Sequence, residues 1–205
     1  RRIKQGRELP MTSLAMWRED LSVITLSDPQ DPLPAWRKLG WPAEGARHLS
    51  GGFATRSDRA RWAAKLDRAV TESDRSVLLI ASGLSCFAVG WWAKLSPANY
   101  AARVAGALLF APGEAREDLR GRFAAPRIAM PFSSLVIDDA IDEKDAELQR
   151  IASDWGSGLV RTRERSAPAG GSWRQAQRLF RRFTTAVVEH DVQRARALRG
   201  LGAGE

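Results

Sequence analysis

Val77-Leu78-Leu79-Ile80-Ala81 is an unbroken apolar run that passes without a spacer into Ser82-Gly83-Leu84-Ser85-Cys86 and then into a helical pattern. A run this short and continuous is that of a strand buried on both faces of a parallel sheet. Such a strand needs hydrogen-bonding neighbours on both edges and side chains packed on both faces, which argues against an all-helical bundle and an antiparallel sandwich.

The neighbours are present. Val104 to Phe110, stopped by Ala111-Pro112-Gly113, and Ser134 to Ile137, stopped by Asp138-Asp139, repeat the pattern, while Ser22 to Leu26, Ala46 to Leu49 and Gly158 to Arg161 are shorter candidates. Between these runs the period turns helical. Trp62, Leu66, Ala69 and Val70 fall on one face of Ser57 to Glu72, opposite Arg59, Arg61, Lys65 and Arg68. Leu84 to Leu95 carries Phe87, Trp91 and Trp92, and Asp142 to Trp155 carries Leu148 and Ile151. In Ser172 to Arg199, Leu179, Phe180, Phe183 and Val187 are expected to pack inward, with Arg174, Arg178, Arg181 and Arg182 in solvent. Alternating strands and helices predict right-handed βαβ units, hence a three-layer α/β/α fold with a mostly parallel sheet and Val77 to Ala81 at its centre. Residues 21–199 are read as one domain, 1–20 as an N-terminal extension and 200–205 as a tail. Ligands of such sheets bind at the carboxyl ends of the strands.

Composition narrows the function classes. A 205-residue chain that is 44% hydrophobic and 27% charged is expected to fold alone as an ordinary globule. No stretch has the roughly 20 apolar residues of a bilayer span, so a cytoplasmic location and no membrane partner are expected. The single cysteine, Cys86, allows neither an internal disulfide nor a cysteine-based zinc site. The net charge of +8 comes mostly from arginine, spread over the helices without a basic block, so nucleic acid is not an expected partner.

A buried strand entering a tight turn and then a helix is the setting of a nucleophile elbow. Leu78-Leu79-Ile80-Ala81-Ser82-Gly83-Leu84-Ser85-Cys86-Phe87-Ala88-Val89 resembles the elbow of the YdeN-like family of small serine hydrolases, to which retinoblastoma-binding protein nine belongs. The family pattern is an apolar strand followed by His-Ser-Leu-Gly-Cys. Aligned on Leu84 and Cys86, Ser82 takes the histidine slot, Gly83 the slot of the nucleophilic serine and Ser85 the glycine slot. Arg61 to Leu66, Val104 to Pro112, Pro131 to Ile137 and Trp155-Gly156 extend the likeness, which runs from about Ser22 to Phe183. The resemblance implies an α/β-hydrolase-like fold and a catalytic carboxylate at Asp138 or Asp139. It also implies a histidine in the loop after the last strand, but Arg163 to Trp173 contains none.

The candidate site residues follow from that mismatch. Glycine at the apex keeps the turn and removes the hydroxyl. Ser85 copies half of a Gly-x-Ser-x-Gly elbow shifted by two residues, but the shift puts Phe87 where a small residue is needed, so a helix-start serine explains it better. Ser82 stands beside the apex and suits capping or loop hydrogen bonding. His48 follows a candidate strand upstream of the elbow, as a structural histidine or as a base for Ser82 or Ser85. His190 sits in a charged helical segment. Asp138, Asp139, Asp142 and Glu143 form an acidic cluster better explained by a helix start than by a metal, and no cofactor is expected. The loop Ser27 to Pro32 has two prolines and no glycine, which weakens an oxyanion hole there. The expected function is that of a catalytically impaired serine-hydrolase-family protein acting by binding a small molecule or a protein partner. The alternative is an active ester or amide hydrolase using a displaced Ser85 or Ser82.

Overall fold

The computed structural model describes residues 21–29, 46–124, 128–138 and 145–161. The N-terminal extension, the 200–205 tail, the helix expected over Ser172 to Arg199 and His190 lie outside the described residues.

Six strands, β1 (Leu21–Ser27), β2 (Arg47–Ser50), β3 (Ser76–Ser82), β4 (Val104–Phe110), β5 (Ser133–Asp138) and β6 (Gly158–Arg161), form one sheet in the order β2-β1-β3-β4-β5-β6, with every pairing parallel. β3 is central and buried along its length apart from Ser76. Burial on two faces explains why it is apolar at consecutive positions rather than alternate ones. Its register with β1 runs from Leu21↔Ser76 to Leu26↔Ala81, and its register with β4 shifts between Val77 and Leu78.

Alternation along the strands divides their side chains between two faces. Ile24, Leu26, Val77, Leu79, Ala81, Ala107, Leu109 and Val136 lie on the first face, in one apolar cluster with three helices. These are α1 (Arg56–Thr71), α2 (Leu84–Leu95) and α5 (Asp145–Trp155), with the short helices α3 (Ala98–Ala101) and α4 (Glu117–Arg120) between the last two. The helices contribute Trp62, Leu66 and Val70 from α1, Cys86, Val89 and Trp92 from α2, and Leu148, Ile151 and Trp155 from α5. Leu78, Ile80, Leu108, Phe110 and Ile137 cluster on the second face, also buried, as a three-layer fold requires. Fully burying one such leucine or isoleucine is worth roughly 1.5–3 kcal/mol, so β3 and its two neighbours anchor the domain. No helix among the described residues is long and apolar enough to cross a membrane.

α1 starts one residue earlier than its apolar period suggests, because Thr55 caps it. The Thr55 hydroxyl accepts from the Asp58 N–H at 3.0 Å, and the Asp58 carboxylate accepts from the Thr55 N–H at 2.9 Å, a reciprocal capping box. α2 packs against α5 where Gly90 leaves room: a Cβ there would lie 3.3 Å from Trp155 Nε1. Phe87, one turn earlier, meets the Trp155 ring edge-on with centroids 5.2 Å apart. The loop after β4 is held by Arg120, which donates to the carbonyls of Gly113 and Ala115 at 2.8 Å each and pairs with Glu147 of α5.

The capping box makes stability depend on pH. The Asp58 carboxyl is held below its ordinary value of 3.8, first by the Thr55 hydroxyl, then by the Thr55 backbone N–H, with Arg61 adding attraction. A lowered carboxyl pKa stabilises the fold fully above the ordinary value and loses that contribution as pH falls through the lowered one. Asp58→Asn should therefore lose less thermal stability than wild type between pH 6 and pH 3, as measured by circular dichroism melts.

Candidate active site

The strand order places the elbow. β2 lies outside β1 on one side, and the chain then returns to β1's other side as β3 before continuing to β6. The topological switch point therefore falls between β1 and β3, where α/β sheets bind their ligands. At the carboxyl end of β3 the chain turns into α2 through Gly83, whose φ of 56° and ψ of −123° no ordinary side-chain-bearing residue adopts without strain. The Gly83 N–H donates to Phe110 O of β4 at 2.9 Å, and Gly83 O accepts from the Cys86 N–H at 3.2 Å. A Cβ built on Gly83 would meet no described atom within 4 Å. The elbow thus has the backbone shape that presents a nucleophile, and presents a hydrogen atom instead.

The other sequence candidates are dispersed around it. Ser82 ends β3 and is buried. Ser85 lies in the first turn of α2, fully buried, and its hydroxyl has no hydrogen-bond partner among the described residues, His48 included. Cys86 is buried in the α2 core, its thiol 3.4 Å from Phe110 O. Asp138 closes β5, buried and paired in register with Arg161 of β6. Asp139, Asp142 and Glu143 lie outside the described residues. No group of three metal-ligating side chains occurs among the described residues. Ala111, which follows β4 beside the elbow, is the one non-glycine residue among those described with positive φ, at 47°.

His48 sits on the edge strand β2, opposite Thr25 of β1. Its Nδ1 is 2.9 Å from Thr25 Oγ1 and its Nε2 is 3.2 Å from Ser27 Oγ. Thr25 and Ser27 alternate with Ile24 and Leu26, so they share the second face with Leu78 and Ile80. Ser27 follows Leu26, the partner of Ala81, and is therefore level with Ser82 on the adjacent strand. Sequence reasoning selected His48 and missed Thr25 and Ser27. Their signal was present as polar residues alternating with apolar ones in a short strand, but the register that brings His48 to them is not written locally.

The sequence matches the serine hydrolase family model over residues 43–181, more than half of its length, and the chain belongs to that family. Among solved structures, one described as a YdeN-like hydrolase from Pectobacterium atrosepticum superimposes with a TM-score of 0.58 at 17% identity, over 85% of this chain and 96% of that one. A structure of a PytH variant gives a TM-score of 0.48 at 11% identity, over 80% of this chain and 98% of that one. No curated protein matches the sequence. The fold is thus α/β-hydrolase-like, as the parallel sheet and elbow already indicate.

The apex conformation has a measurable consequence. Gly83→Ala meets no described neighbour, so its cost is the backbone strain of placing a Cβ at positive φ, about 1–2 kcal/mol. Gly52→Ala is equally unobstructed and has no positive φ, so it should be neutral to slightly stabilising. Urea midpoints of the two variants at equal slope should show this difference.

Proposed function

We propose that this chain is a serine-hydrolase-family protein whose elbow no longer performs acyl transfer, and that it acts by binding a small molecule or a protein partner at the carboxyl ends of its strands. The observation that carries the reading is Gly83: it holds the elbow backbone with φ 56° and ψ −123° and has no hydroxyl to present. Nucleophile, base and orienting carboxylate act as a unit, so losing the nucleophile or the base alone costs nearly as much as losing all three. The chain has two histidines, and neither lies between Arg163 and Trp173, where the family resemblance expects the base. A buried carboxylate at Asp138 without the other two members provides position and field but no covalent route. The apex supports a binding role, because no described atom lies within 4 Å of the position that a nucleophile's Cβ would take.

Steady-state turnover of p-nitrophenyl acetate by the wild-type chain should stay close to the buffer rate and be unchanged by Ser82→Ala or Ser85→Ala. Robust turnover that either substitution abolishes would replace the binding reading with that of an active hydrolase using a displaced serine.

A further inference from the structure

A serine hydroxyl against one imidazole nitrogen, with a hydrogen-bonding group on the other, is the arrangement that activates a serine for attack. Ser27 Oγ, His48 Nε2, His48 Nδ1 and Thr25 Oγ1 form that series, with contacts of 3.2 Å and 2.9 Å. We propose that Ser27 is an acyl-accepting hydroxyl of this chain, with His48 as its base and Thr25 as the residue that positions the ring. The proposal goes beyond the binding role and shares with it one premise, that Gly83 offers no competing hydroxyl.

Position supports chemistry at Ser27 over a purely structural tie. Ser27 is the last residue of β1, beside the strand that carries the elbow and at the switch point of the sheet. Its own exposure is 5%, while His48 is exposed, so the pair borders solvent on its imidazole side. Ser82 ends β3 at the same level, and neighbouring strands lie about 4.8 Å apart. The pair therefore stands about one strand spacing from the elbow.

With Nδ1 protonated and donating to Thr25 Oγ1, Nε2 carries the lone pair that accepts the Ser27 proton. Ser27 Oγ adds to the carbonyl carbon of a small activated ester and the bond to the leaving alkoxide breaks. The proton held on Nε2 departs with the alcohol, and the acyl group remains as an ester on Ser27. Water attack on that ester requires the imidazole to take up a proton again. Pro29, two residues on, has no N–H to place on the oxyanion. Deacylation must expel the serine alkoxide, a poorer leaving group than the alkoxide of an activated ester, so acylation is faster and the Ser27 ester accumulates.

Incubation of the full chain with a fluorophosphonate probe, followed by mass-spectrometric mapping, reads the reactive hydroxyl directly. The probe should be found on Ser27 and be absent from Ser27→Ala. In His48→Gln, which keeps a hydrogen-bonding side chain on β2 without a comparable base, labelling should slow by about 100-fold or more. An adduct on Ser82 or Ser85, no adduct on folded wild-type chain, or an unchanged rate in folded His48→Gln would each overturn the proposal. The wild-type map needs no variant to fold. Failure here leaves the binding role intact, whereas multiple turnover of an ester would sink the binding role whether or not Ser27 is labelled.

Discussion

The reversal at residue 83 is the constraint on which the site depends. β3 is fixed on both sides by parallel partners, and α2 is fixed by its packing on the first face of the sheet. Both ends of the turn are therefore set before the turn itself is specified. The chain must pass from an extended strand into a helix at one residue, and positive φ with ψ near −120° is the solution found. Glycine meets that requirement at least steric cost. The hydrogen bonds from the Gly83 N–H to Phe110 O and from the Cys86 N–H to Gly83 O hold the elbow against β4 and start α2 in the same step.

That economy separates shape from chemistry. A strained apex is tolerable in an enzyme because it presents a nucleophile, and here the conformation persists without the side chain it would display. The imidazole of the chain's described part has its ring contacts on the other side of the switch point, on β2, where it bridges two hydroxyls of β1. A hydroxyl-imidazole pair and an empty elbow thus share the carboxyl end of one sheet.

Where burial alone decides the pattern, the sequence was legible. β4 and α2 have the limits that their apolar runs and periodicity suggest, and even the short β6 and the edge strand β2 lie where brief patterns placed them. Gly83 was legible through the resemblance of Ser82 to Cys86 to the family elbow, and the buried Ser82 and Leu84 on either side of it leave one residue for the turn. The Thr25–Ser27–His48 contact was not. It depends on which residue of β2 faces which residue of β1, across more than twenty residues of intervening chain, and parallel register is set by the whole sheet rather than by local pairs. The start of α1 was missed by one residue because a reciprocal cap overrode the apolar period.

The central proposal, that the elbow keeps its backbone but no longer serves acyl transfer, is tested most directly by Gly83→Ser. The substitution restores a hydroxyl at the apex, where a Cβ meets no described neighbour, and supplies no imidazole. Steady-state hydrolysis of an activated ester by Gly83→Ser should remain at the wild-type level, with some loss of stability from the strained backbone. A rise of several hundredfold in turnover would show that a working base already faces the apex, and would contradict the account.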